Sequence, residues 1–230
     1  MFKRFGTAAL LMLLASCGAP RLHHAPPARP VPAAPEIQSA AGMYRIDAGQ
    51  SELRVLVYRA GPMARLGHNH VMVNRALSGS AHLAEPATAS TFSLTVPAGG
   101  FVVDDAQARS EEGADFPGEI PEDAKAGTLR NMLGAALLDA ADYPAITVRC
   151  VSLAEGSGGL LATLTINIAG HDANLVAPFT LQSDPQRLSA TGSFDLRQSD
   201  LGLTPFSLML GALQVQDTVR LKFKIIAVAG

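Results

Sequence analysis

The chain has 230 residues, 48% of them hydrophobic and 17% charged, which is enough for one large domain or two small ones around a sizeable core. Lysine and arginine number 18 against 20 aspartates and glutamates, so no basic excess exists to grip phosphate backbones. Tryptophan is absent and aromatics make up 5%, which leaves no base-stacking platform; both counts argue against nucleic acid as a partner.

The first element reads as a signal. "MFKRFGTAALLMLLASCGAP" sets Lys3 and Arg4 ahead of an apolar run, Thr7 to Leu14, too short to span a bilayer as a mature helix. It closes on Leu14-Ala15-Ser16-Cys17, which resembles a bacterial lipobox. By that resemblance residues 1–16 are a lipoprotein signal peptide, and Cys17 is acylated and becomes the mature N-terminus. Gly18 after it, rather than aspartate, favours the outer membrane over inner-membrane retention. The expected location is the periplasmic face of the envelope, with the membrane as partner through lipidated Cys17.

Residues 17–42 follow as a Pro/Ala-rich tether with no apolar periodicity and extended character. His23 and His24 in it read as solvated linker residues. With Cys17 acylated, Cys150 is a free thiol. "AITVRC" places it on one face of a strand with Ile146 and Val148, buried and inert rather than nucleophilic.

From residue 43 to 230 the dominant period is two. "SELRVLVYR" aligns Leu53, Val55 and Val57; "TFSLTVP" alternates Phe92, Leu94 and Val96; "LATLTINIAG" sets Leu164, Ile166 and Ile168 against polar neighbours. The spacing predicts eight strands at about 51–59, 70–83, 90–96, 145–153, 160–169, 173–182, 188–197 and 215–228. "EDAKAGTLRNMLGAALLDAADYP" departs from it: Leu129, Met132, Leu133, Ala136 and Leu137 fall at helical spacing and predict one amphipathic helix, ended before Pro144. Many strands with short turns argue for a closed barrel or a sandwich. In an up-and-down meander the four long or unusual connections, "GPMARLGHN", 97–144, "GHDA" and "RQSDLGLTPFSLMLG", all fall at one mouth. Binding sites in barrels sit at such mouths, and an eight-stranded barrel holds one slender ligand.

Five stretches then carry a family resemblance: "YRIDAGQSELRVLV", "NMLGAALLDAADYPAITVRC", "LTINIAGHDANLVAPFTL", "SFDLRQSDLGL" and "VQDTVRLKFKI". In this order, over about 43–229, they resemble the YceI-like family of periplasmic, lipocalin-like barrels associated with polyisoprenoid binding. The resemblance implies an all-β, eight-stranded antiparallel up-and-down barrel with one inserted helix. It also implies an elongated apolar cavity for an isoprenoid, lipid or other amphiphilic small molecule; no nucleophile elbow, phosphate loop or carboxylate pair of recognisable spacing supports an enzyme, so a binding protein without catalysis is expected. "GHNH" and the Gly170-His171 pair fall outside the family's basic pattern, and a lipobox stands where a soluble-protein signal peptide is common.

For the ligand, the candidate contacts are inward-facing Phe179 and Phe223, Arg197 at the end of its strand, and Leu208 and Met209 in the last long connection. Arg197 reads either as a structural ion pair or as a partner for a polar head, and Leu208 to Leu210 either as a plug or as cavity lining. For metal, His68 and His70 share a strand face about 6.5–7 Å apart along the chain. If the 60–69 and 170–172 tips are neighbours, His171 is the third ligand of a zinc or copper site, with Asp172 or Asp200 completing it. The alternative is that these histidines belong to tight Gly-His turns. His82, twelve residues from His70 at ~3.3 Å per residue, belongs to the far end.

Overall fold

In the computed structural model, residues 42–230 are described. The lipobox, Cys17 and the tether up to Ala41 lie outside the described residues. In chain order the first strands are β1 (Gly42–Ile46), β2 (Glu52–Val57), β3 (Arg59–Ala60), β4 (His70–Asn74), β5 (Ser78–Leu83), β6 (Thr91–Pro97) and β7 (Phe101–Val103). Two helices follow, α1 (Ala106–Glu111) and α2 (Glu122–Leu133). Then come β8 (Ala145–Gly156), β9 (Gly159–Ile168), β10 (His171–Ser183), β11 (Arg187–Arg197), β12 (Ser207–Leu208), β13 (Leu213–Val215) and β14 (Thr218–Ala229).

The strands close into one barrel. The order β1-β5-β6-β8-β9-β10-β11-β14 returns to its start because β14 also pairs β1, and every pairing is antiparallel. Three of the eight wall strands are broken. β2, β4 and β7 continue β1, β5 and β6 toward the mouth and pair in the order β14-β2-β4-β7. Buried Asn74 bridges the breaks: its amide donates to Pro97 O at 2.8 Å and accepts from Ala76 N at 2.9 Å. Counted as wall strands, these are the eight that the alternation predicts, with the first extended back to Gly42.

The inward face follows the period of two. Leu53, Val55, Val148, Leu164, Ile166 and Phe194 belong to the main core cluster, as does the buried thiol of Cys150. At the end away from the mouth, Tyr44, Leu83, Leu188 and Ala227 pack together and close the barrel. At the mouth the turn between β9 and β10 is two residues long, Ala169 at φ 49° and Gly170 at φ 76°, the doubly positive turn that a tight hairpin prefers.

Two features depart from the expected single helix. α2 ends at Leu133 rather than running toward Pro144. Gly134, a poor helix former, takes an extended conformation, and residues 137–140 fold back as a turn whose amides donate to Met132, Leu133 and Gly134 carbonyls. Met132 and Leu138 are still buried, so the apolar stripe reaches the core through a helix and then a turn. The short α1 packs on the outside of the wall, where Ala108 and Phe116 cover the outward side chains Leu56, Val71 and Val73. Its anchor is ionic: Arg54 pairs with Glu111 at 2.6 Å and Glu112 at 3.0 Å, and Lys222 reaches Glu112 at 2.8 Å.

Candidate functional site

The mouth is covered by its own connections. β12, β13 and β3 form a small antiparallel sheet, joining the last long connection to the first. Gly61 permits the join. Its φ is +87°, and a Cβ there would lie 2.6 Å from Ala212 O, while the neighbouring Met63 N donates to that oxygen at 2.8 Å. α2 forms the other side of the cover, with Thr128, Asn131 and Met132 turned to the interior.

Beneath it lies a cavity of about 350 Å³, continued toward the closed end by one of about 180 Å³. Leu53, Val96, Val148, Ile166 and Leu221 line both, so a single space runs along the barrel axis. This is within the range of small-molecule sites, about 300–1,000 Å³. Phe179 and Phe223 line the deeper part. Phe92 meets Phe179 edge to face at 6.4 Å, and Phe194 meets Phe223 at 6.5 Å. Phe223 has room because its partner across the ladder is Gly192, where a Cβ would come within 2.5 Å of the ring.

Polar groups gather at the mouth. Arg59, His68 and His70 line the cavity there, with Gln198 and Gln214 beside them. His70 is the most constrained. Its Nδ1 lies 2.6 Å from Asp104 Oδ2, and its ring centroid is 6.1 Å from that of His68. Asp104 is fully buried after β7 with φ 54°, and its Oδ1 accepts from Val71 N at 2.9 Å and Arg109 Nη1 at 2.7 Å. Burial by itself would raise the Asp104 pKa. The hydrogen bonds from His70 and Val71 and the charges of His70 and Arg109 outweigh it and hold the carboxyl below its ordinary range. Asp104 is therefore a carboxylate, and His70 Nδ1 carries the proton that it accepts. His70 Nε2 is left at the cavity side, 3.5 Å from Thr128 Oγ1.

Arg109, 4% exposed, holds the loop behind Asp104. It donates to the carbonyls of Asn69, Pro117 and Gly118 and stacks over Phe116 at 5.8 Å. Carboxylate, imidazole and hydroxyl stand in the order of a hydrolytic triad. However, 3.5 Å exceeds the roughly 2.6–3.2 Å reach of an activated nucleophile. The arrangement fixes the orientation and tautomer of His70.

Three sequence expectations are corrected. The three-histidine site is not formed. His70 lies on the second wall strand and β10, which His171 opens, is the sixth of eight. They are four strand spacings of roughly 4.8 Å apart in either direction round the wall. The two tips share a mouth but are not neighbours. His171 is exposed at the rim beside Gly202, and among the described residues no three His, Cys, Asp or Glu side chains are grouped to hold a metal, with zinc and copper, Asp172 and Asp200 included.

Arg197 is a structural ion pair. It is exposed on the outward phase of β11, bound to Asp217 at 3.0 Å, while Ser199 Oγ donates to the same carboxylate at 2.6 Å. Leu208 and Met209 neither plug nor line the cavity. They are 47% and 72% exposed because positive φ at Met209 and Leu210 turns the tip outward; Phe206 and Leu213 of the same connection line the cavity instead.

Asp104 and Arg109 were not among the expected site residues. "FVVDDAQAR" carries only an N-cap signal: Asp105 Oδ1 accepts from Ala108 N at 2.9 Å. His82 lines the deeper cavity, near the far end as expected.

A closed antiparallel barrel with an axial apolar cavity and polar groups at a covered mouth defines a class of small barrels built around one slender space. The chain belongs to the YceI-like family, whose domain model matches residues 44–227. Among solved structures it is similar to BcnA of Burkholderia cenocepacia, at 15% identity and a TM-score of 0.58 over 79% of this chain and 98% of that one. It is also similar to a polyisoprenoid binding domain from Saccharophagus degradans implicated in plant cell wall breakdown. There the identity is 15% and the TM-score 0.52, over 84% of this chain and 100% of that one. At these identities the likeness is one of fold. No curated protein matches the chain in sequence.

Proposed function

We propose that this is a lipid-anchored binding protein of the periplasm, held at the outer membrane through Cys17, that keeps an isoprenoid or other amphiphilic small molecule in its barrel and performs no catalysis. The observation that carries this reading is the axial cavity, apolar along its length and polar at its mouth. A slender chain entering it gains about 0.8 kcal/mol per buried CH₂, offset by the cost of ordering ligand and loops. The polyisoprenoid binding of the Saccharophagus relative supports the same chemical class. The anchor rests on the lipobox, and an acylated cysteine with more than one chain meets the two-signal requirement for stable attachment.

Two measurements test it. Solvent extracts of protein purified from its own envelope, analysed by mass spectrometry, should contain a stoichiometric isoprenoid or lipid; a protein that yields none and takes up none refutes the carrier reading. Metabolic labelling with a fatty acid should mark the wild type and not Cys17→Ala. Equal label in both removes the anchor.

A further inference from the structure

We propose that Arg59, His68 and His70 form a headgroup subsite for an oxyanion, so that the ligand is an amphiphile with a carboxylate or phosphate head and a single slender chain. This rests on the carrier reading above and adds the chemistry of the head and its orientation.

Orientation comes from the distribution of polarity along the axis. The far end is sealed by the apolar cluster of Tyr44, Leu83, Leu188 and Ala227. A charged head placed there would lie against that apolar cluster, with His82 turned to the exposed side of its strand rather than paired with it, at a desolvation cost that the mouth does not impose. At the mouth a head stays partly hydrated and meets donors.

The sign of the head comes from what lines the mouth and what does not. Among the described residues, no aspartate or glutamate lines either part of the cavity. Arg59 brings a permanent guanidinium. Its Nη1 donates to Gly67 O at 2.7 Å, and no carboxylate lies within ion-pairing distance of it among the described residues. The hydrogen bond to Gly67, itself a lining residue next to His68, holds the Arg59 side chain at the same rim.

His70 presents Nε2 to the cavity, its ring held in place by the Asp104 carboxylate behind Nδ1. His68, 6.1 Å away centroid to centroid, supplies a second imidazole. Asn131 and Gln214 add amide donors from α2 and β13. A neutral hydroxyl head would leave the Arg59 charge with only the Gly67 carbonyl and solvent. A cationic head would face Arg59 with no acid to offset it. An oxyanion uses the guanidinium fork of Arg59, a charge-assisted donor, between the polar edges of the two imidazoles and beside the amide donors of Asn131 and Gln214.

The test is calorimetric titration of the full mature chain carrying Cys17→Ser, so that no acyl anchor competes. The probes are a fatty acid, an alkyl phosphate and a fatty alcohol of equal chain length, with acetate and inorganic phosphate as heads without tails. The acid and the alkyl phosphate should bind about ten- to a hundredfold more tightly than the alcohol, the range expected for charge-assisted hydrogen bonds. The tail-less ions should bind far more weakly than either. Arg59→Gln and His68→Gln, both at exposed positions, should each bring the acid-to-alcohol ratio toward one, and Arg59→Lys should restore part of it.

Equal affinity for acid and alcohol overturns the subsite and leaves the carrier reading standing. Acetate or phosphate binding as tightly as the tailed probes overturns it as well, since the barrel would then play no part. Failure of every tailed probe to bind overturns both. A thermal melt of each variant confirms that a changed ratio comes from a folded protein.

Discussion

Asp104→Asn isolates the group that the mouth depends on. Asparagine keeps the shape and tolerates the positive φ of 54° found there, so the backbone need not move. The substitution removes a charge that Arg109 pairs with at 2.7 Å while Arg109, 4% exposed, stays buried with only neutral acceptors, the new amide oxygen and the carbonyls of Asn69, Pro117 and Gly118. Breaking one partner of such a pair costs about 3–5 kcal/mol, a large share of the ~5–15 kcal/mol that holds a domain folded. At about 2–4 °C per kcal/mol for a domain of this size, the melting temperature should fall by roughly 6–20 °C.

The same change places an amide donor opposite His70 Nδ1, which must then accept, so the imidazole proton moves to Nε2. Nitrogen chemical shifts of the His70 ring report this directly. The decisive assay is a thermal-denaturation cycle of Asp104→Asn, Arg109→Met and the double variant. The double variant should lose less than the two single losses combined, because it leaves no unpaired buried charge. A shift below about 2 °C for Asp104→Asn, or strict additivity, would refute this account of the mouth.

The acid limb follows from the same residue. The folded-state pKa of Asp104 is lowered, so its contribution is complete above the unfolded value of about 3.9 and is lost as pH falls through the lower folded value. Urea unfolding should show stability lost as pH falls below about 4 in the wild type and a weaker loss there in Asp104→Asn; an acid limb that the substitution leaves unchanged would contradict the assignment. Gly192→Ala should drive the Phe223 ring into the cavity, costing about 1–3 kcal/mol by overpacking and weakening ligand uptake more than Gly170-side changes do, as read by melting and by binding of an alkyl probe. Gly61→Ala should release the sheet that covers the mouth, with a loss of about 1 kcal/mol or more and faster amide exchange at Met63 and Ala212; unchanged exchange would show that the join carries no stability. Cys150 should resist alkylation in the native protein and react at once in denaturant, because burial pushes its thiol up and hides it; rapid native labelling would place it elsewhere.

Strand number, the inward face of each strand and the end at which the connections gather were all readable along the chain. The reason is that alternation is local: a slip of one residue would turn Leu53, Val55 and Val57, or Leu164, Ile166 and Ile168, to the solvent. The same alternation placed Phe179, Phe223 and Cys150 inside. It carries no information about angle around the barrel axis. His68 and His70 on one side and His171 on the other share a mouth in chain order, and only closure through the β14–β1 pairing sets them on opposite walls. Nor does it reach segments without a period. Asp104 lies 34 residues from His70 in the chain, and their hydrogen bond forms because β7 pairs with β4 and Arg109 gathers the following loop. Leu208 and Met209 were apolar and near the mouth, but left-handed backbone at Met209 and Leu210 turns them outward at the tip beside the β13–β3 pairing. The alternation along the chain determined strands with one apolar face turned to a common interior; the polar side of that interior was decided by contacts between residues far apart in sequence, where periodicity has no reach.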